Sequence, residues 1–229
     1  MANESAISAV ATLDDELRRG MYRFIRQARR PVTRDEAAAE VGISRKLAAF
    51  HLDKLVDAGL LRARYEAPGM RRVGRAPKVY EPTDADVRVS IPERRYEVLA
   101  EILMGAVLGE REGETAREAA IRVAQRRGEE LGDAERKRVR PGRLGAERAL
   151  TLVQGMLAAH GFEPSREAPT SVRLRNCPFH PLAATAPDLV CGLNHAFCSG
   201  ILTGLGTDSV QAVLAPQVGE CCVEMRATP

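Results

Sequence analysis

Between residues 33 and 60 the apolar positions recur at helical spacing in two short runs divided by a glycine. Thr33 followed by Glu36 is a capping box, so a helix is expected over 34–40. Val41-Gly42-Ile43 reads as a tight turn, because glycine accepts the left-handed conformation that ends a helix. Ser44 is suited to N-cap a second helix running to about Ala58 and ending at Gly59. On that helix Ala48, Leu52 and Leu55 fall at i, i+4 and i+7, with Leu47 beside them, and are expected to face the core. Arg45, Lys46, Ala49 and Asp53 project the other way, with Phe50 near the edge. Upstream, Leu13, Leu17, Met21, Phe24 and Ile25 form one stripe on a helix expected over 4–28.

After Leu60 the period changes from helical to alternating. LRARYE reads as a strand, Ala67-Pro68-Gly69 turns, MRRVGRAP is a basic tip, and KVYEP returns as a second strand. Two helices joined by a glycine turn, then a basic hairpin, make a winged helix-turn-helix, whose second helix enters the DNA major groove. Thr33, Ser44, Arg45, Lys46, Ala49 and Phe50 are the expected contacts of the helices. Arg71, Arg72, Arg75 and Lys78 are those of the wing, placed along phosphates or in the adjacent minor groove.

Pro82–Pro92 reads as a linker, and Pro92 opens a helix to about Gly109. Its stripe of Tyr96, Leu99, Ala100, Leu103, Ala106 and Val107 is widened by Val98 and Ile102, which suits either two surfaces, one of them a second subunit, or an intramolecular core alone. A charged amphipathic helix is expected over 115–131, a basic linker over 133–143, and a helix over 144–160 closed by Gly161. From Ala168 the pattern is α/β. SVRLRN is a strand leading into Cys177-Pro178-Phe179-His180, and Pro187 starts a helix through LVCGLNHAFCSGILTGLG. VQAVLAP and ECCVEMR are closing strands. The expected fold class is α+β: a winged helix-turn-helix over 1–82, a helical linker or dimerisation region over 83–161, and a small C-terminal α/β sensor domain over 162–229.

Composition narrows the function. A hydrophobic content of 45% and a charged content of 28% are ordinary for a soluble chain. No apolar run reaches the roughly 18–20 residues of a membrane span, and the first residues show no basic-then-apolar secretory pattern, so a cytoplasmic protein with no membrane partner is expected. The net charge of +3 is mild, so affinity for nucleic acid must come from local clustering. Arg62, Arg64, Arg71, Arg72, Arg75 and Lys78 supply it, opposed within that stretch by Glu66.

All five cysteines lie after residue 176. Cys191, His195 and Cys198 fall at i, i+4 and i+7, on one helical face. Cys177 and His180 flank the preceding turn. Cys221 and Cys222 are neighbours on an expected strand, where alternation lets only one reach a shared site, Cys221 if that site is on the apolar face. Thiolates suit zinc and iron–sulfur irons. The candidate ligands are Cys177, Cys191, Cys221, Cys222, His180 and Cys198. An enzyme with Cys177 as nucleophile and His180 as base is not expected, because proline follows the cysteine and no substrate loop is evident.

The segments ISRKLAAFHLDKLVDAGLL, GRAPKVYEPT, NCPFH, LVCGLNHAF, GILTGLG and CCVEM resemble bacterial winged helix-turn-helix regulators related to the ArsR type and to the SufR iron–sulfur repressors. The resemblance covers nearly the whole chain, strong over 13–82, good over 174–229 and weak between. It implies a homodimer on an operator in double-stranded DNA, with an iron–sulfur cluster (4Fe–4S) on C-terminal cysteines whose state changes DNA binding. Cys177 matches the first family cysteine, Cys191 the second, and Cys221 or Cys222 the last. Another SufR cysteine, near Gln211–Ala212 here, is missing. A four-cysteine SufR cluster therefore does not transfer: His180, His195, Cys198 or the second member of the Cys221–Cys222 pair fills that place, or an iron is left open, or the metal is a different one. A zinc site or a thiol redox switch is the alternative.

Overall fold

Two adjacent aspartates interrupt the long first helix that the apolar stripe predicts. In the computed structural model, which describes residues 2–65 and 76–228, α1 (Ala2–Thr12) ends before them and α2 (Glu16–Ala28) starts after them. The Asp15 carboxylate accepts the Arg18 N–H at 2.9 Å, satisfying an orphan donor of the new helix. The expected single helix over 4–28 is therefore two.

The chain divides into two units, Met1–Val89 and Ser90–Pro229. In the first, α3 (Arg34–Glu40) and α4 (Arg45–Asp57) follow α2. The Thr33–Glu36 capping box and the Ser44 cap form as expected. Gly42 takes φ +69° at the turn, where a side chain would be strained. Met21, Ile25, Ala48, Leu52 and Leu55 close one core. The hairpin strands are β2 (Leu61–Tyr65) and β3 (Lys78–Pro82), antiparallel from Leu61 opposite Pro82 to Tyr65 opposite Lys78. A two-residue strand, β1 (Val32–Thr33), not expected from the sequence, pairs with the other edge of β3. The wing tip, with Arg71, Arg72 and Arg75, lies outside the described residues.

The second unit begins with α5 (Tyr96–Leu108), four residues later than Pro92 suggests, and α6 (Ala116–Val139). A Thr115–Glu118 capping box starts α6. The segment 133–143, expected as a basic linker, is helical as far as Val139. Lys137–Asp133 and Arg138–Glu135 pairs at 2.6 Å lie along it, the i, i+4 and i, i+3 spacings that support a helix. Then come α7 (Ala146–Ala159), β4 (Pro164–Ala168), β5 (Ser171–Leu174), a short α8 (Leu182–Thr185), α9 (Pro187–Leu205), β6 (Val210–Leu214) and β7 (Val223–Ala227). The strands form an antiparallel sheet in the order β4-β5-β7-β6. Its inner face, Val172, Leu174, Val223 and Met225, shares one core with Leu150 and Val153 of α7, Phe197 and Ile201 of α9, and Ala120 and Ala124 of α6. The regions 83–161 and 162–229, separate in the sequence reading, are thus joined through a common interior from α5 onward.

Glycines set how closely α6 and α9 approach. A Cβ on Gly128 or Gly132 would lie 2.1 or 2.2 Å from the carbonyl oxygen of Phe197 or Ile201. One on Gly200 or Gly204 would lie 2.1 or 2.2 Å from that of Gln125 or Glu129. Backbone meets backbone at this crossing, which only hydrogen side chains allow. The α5 stripe is split as its breadth suggests: Leu99, Ile102 and Ala106 are buried, while Tyr96, Leu103, Met104, Val107 and Leu108 are exposed.

Candidate nucleic-acid interface and thiol centre

On the helix-turn-helix the caps fix the entry of each helix. Glu36 accepts from the Thr33 N–H at 2.7 Å and from its hydroxyl at 2.8 Å, and from Arg30 at 2.7 Å. Arg30 first, then the Thr33 donors, hold its pKa down at about 2. The Thr33 hydroxyl is therefore committed to the cap. Ser44 Oγ accepts the Leu47 N–H at 3.3 Å.

The outward face of α4 differs from the expected one in two ways. Leu47 is 41% exposed and does not join the core, because it lies at the margin of the Ala48–Leu52–Leu55 stripe. Its place against the first unit is taken by His51, buried but unnoticed in the sequence, whose Nδ1 lies 3.9 Å from Asp15 Oδ1 and has no hydrogen-bond partner among the described residues. Phe50 is central rather than peripheral: it is 53% exposed, with the Lys54 ammonium 6.0 Å from its ring. Ala49 is half-buried.

Several expected cations have carboxylate partners. Arg45 meets Asp35 of α3 at 3.1 Å, and Lys78 meets Asp53 of α4 at 2.8 Å. Glu81 of β3 takes both Arg62 (3.2 Å) and Arg64 (2.8 Å) of β2. Arg64 first, then Arg62, holds its carboxyl below the usual range. The strand arginines are thus opposed by a residue outside the stretch in which Glu66 alone was counted. Lys46 has no carboxylate partner among the described residues. Exposed pairs like these are weak, of the order of 0–1 kcal/mol, and can be exchanged for phosphates.

In the second unit four of the six candidate ligands are linked pairwise, one to the next. Cys177, in the loop after β5, interacts with Cys221; Cys221 also meets Cys222, and Cys222 meets Cys191 near the start of α9. Both members of the Cys221–Cys222 pair take part, because β7 begins only at Val223 and strand alternation does not govern them. Backbone N–H groups of Phe179 and His180 face the Cys177 sulfur, and that of Val223 faces Cys221. The buried Asn194 donates to Cys221 Sγ at 3.1 Å and accepts from Cys198 Sγ at 3.7 Å. Nothing in the apolar grammar of LVCGLNHAF marks that asparagine.

Two candidates stand apart. The His180 ring is exposed, and its carbonyl accepts from Tyr96 at 2.7 Å. Cys198 is fully buried in the core. His195 is spent on the Ala212 carbonyl at 3.1 Å.

The loop carrying Cys221 and Cys222 is held at its neck. Ala215 N–H donates to the Cys222 carbonyl and Cys221 N–H to that of Leu174. Beneath it the buried Arg173 donates to Ala215 O at 3.0 Å and to Glu224 at 2.6 Å, while Arg175 takes Glu220 at 2.7 Å. On the other side Arg94 and the buried Asn176 tie the approach to Cys177 to residues 93 and 161.

The thiols of Cys177, Cys191, Cys198 and Cys221 are shifted towards their protonated form. The Cys221 contact, then burial, raises Cys177, and burial first raises Cys191 and Cys198. The Cys177 contact pulls Cys221 down, but Cys222 and burial outweigh it and leave Cys221 at about 12. A cation placed beside thiols lowers their pKa. Soft sulfur is the donor type that thiophilic metals and iron–sulfur groups take. The four sulfurs form an open chain of neighbours. Among the described residues no three His, Cys, Asp or Glu side chains are drawn together as a bound ion would require.

Among the described residues no helix is long and apolar enough to cross a membrane. No curated protein and no solved structure matches the chain. A family model described as a helix-turn-helix domain matches residues 13–64, the span from the end of α1 into β2. The first unit of this chain therefore carries a helix-turn-helix domain of the kind that binds DNA in transcription regulators.

Proposed function

We propose that the protein is a homodimeric, cytoplasmic transcription regulator of the SufR-like kind, whose operator binding responds to a group held by Cys177, Cys191, Cys221 and Cys222. The observation that carries this reading is that those four thiols, from three separate segments of the chain, are linked pairwise in the order Cys177, Cys221, Cys222, Cys191 around one loop neck. An iron–sulfur group bound there supplies sensitivity to oxidants and to iron supply; zinc in its place is a structural or occupancy signal. The chain's own residues provide thiolate ligands, N–H donors that stabilise sulfur charge, and a stapled loop that moves when ligand spacing changes. Two recognition helices of a dimer must stand about 34 Å apart to meet successive major grooves, so a shift in dimer geometry decides binding. Moving such an equilibrium from 1:99 to 99:1 takes about 5.5 kcal/mol of differential affinity.

The Cys177–Cys221 contact favours a second reading, a thiol switch. The two thiols would lose two protons and two electrons to a peroxide, which is reduced to water and an alcohol or to two waters, and an S–S bond would form. Anaerobic purification with iron, zinc and acid-labile sulfide analysis separates the readings. A brown protein containing sulfide, bleached by Cys177→Ser, supports the first. A colourless, metal-free protein whose DNA affinity follows reversible thiol oxidation supports the second. Metal-free protein indifferent to oxidants refutes both.

A further inference from the structure

The outward face of α4 carries an aromatic ring where groove-reading helices need contacts. Relative to the buried stripe of Ala48, Leu52 and Leu55, Lys46, Phe50 and Asp53 project directly away from the core. Phe50 lies one turn from Lys46 on one side and from Lys54 on the other. More than half of its surface is open, and the Lys54 ammonium stands 6.0 Å from the ring. The polar groups around it are largely engaged: Asp53 with Lys78, and Arg45 with Asp35. In a major groove this face presents a phenyl ring flanked by two lysines. The lysines suit guanine edges or phosphates. The ring cannot hydrogen-bond, and the apolar group a major groove offers it is the 5-methyl of thymine.

We infer that Phe50 determines sequence preference by packing on a pyrimidine 5-methyl group, so that each half-site of the operator contains a thymine read through its methyl. This rests on the DNA-binding reading of the helix-turn-helix and is independent of the thiol centre. An exposed ring of this kind adds little to the fold, so its removal leaves the unit intact while changing what it reads.

The test begins by selecting duplexes from a random pool with the full chain. Each thymine of the selected sequence is then replaced singly by uracil, which removes the methyl and keeps the pairing. The wild-type protein is expected to lose about fourfold in affinity at one thymine of each half-site, the worth of one buried methyl. Phe50→Ala is expected to melt as the wild type does and to bind the thymine and uracil forms of that position equally. Two results overturn the inference alone: a wild type that selects a sequence but ignores every methyl, or a methyl dependence that survives in Phe50→Ala. A wild type that selects no sequence, with a wild-type melting profile, refutes the DNA reading and this inference with it.

Discussion

Gly200→Ala probes the crossing of α6 and α9, because it adds one methyl group where two backbones touch. The new Cβ would sit 2.1 Å from the Gln125 carbonyl oxygen, 2.9 Å from its carbon and 3.0 Å from the Glu129 nitrogen. To restore contact distance the helices must part by about 1 Å. Overpacking of this kind costs about 1–3 kcal/mol, and the obstacle is main chain that cannot change rotamer, so the upper part of that range applies. Alanine recovers about 1 kcal/mol of helix propensity. The net expectation is a loss of about 2 kcal/mol, which lowers the melting temperature by roughly 4–8 °C in a unit of this size. Gly155 in α7 is the internal control. It is also helical, but nothing lies within 4 Å of its added Cβ, so Gly155→Ala is expected to stabilise by about 1 kcal/mol. Thermal and urea unfolding of the full chain under reducing conditions, followed by circular dichroism, measures both. A Gly200→Ala protein melting at or above the wild-type temperature would show that the glycines do not set the helix separation.

Acid should weaken the first unit through Glu36. Its folded pKa of about 2 lies below the ordinary carboxylate range, so its contribution is present above about pH 4.5 and is lost as pH falls towards 2. The side chain is 36% exposed, which limits the effect, and Glu36→Ala is expected to cost about 1 kcal/mol at neutral pH. That difference should shrink as pH falls from about 4.5 through 2 in urea titrations, and a constant difference would contradict the capping role. At the thiol centre the shifts run upward, so protons must leave before a metal binds. Zinc or cobalt affinity, measured against a competing chelator, should rise with pH between 6 and 9, with proton release in weakly buffered solution. A flat profile would argue that the thiols are not the ligands.

Much of the first unit was legible because its signals are local. Thr33, Glu36, Ser44 and Gly42 act within a turn of their own positions, and the helices they bound begin and end as expected. The start of α9 at Pro187 was legible for the same reason. What was missed depends on distant partners. Leu47 and His51 are the exception: Leu47 lies at the margin of the buried stripe and His51 at i+3 from Ala48 within it, so the period itself places both, and a stripe drawn from apolar residues alone hid the histidine. The end of α6 looked like a linker because DAERKRV is rich in charge, but its charges pair along a helix. β1 and β4 are too short or too polar to show a period. At the thiol centre the pattern found the cysteines, but not that both Cys221 and Cys222 precede the strand, nor that Asn194 bridges two sulfurs. An asparagine among apolar residues carries no sign of its partners until the loop from β7 is folded against it.

At a rise of 1.5 Å per residue, the 24 residues of α6 make a rod of about 36 Å, gripped near its middle by α9. With no side chains to repack at the grip, α9 cannot slip quietly past its neighbour. A rocking of about 5° at the fulcrum moves the tips of the rod by about 1.5 Å. Any rearrangement that tugs on the second turn of α9, where Cys191 sits, is thereby geared up into displacement at both ends of its longest companion.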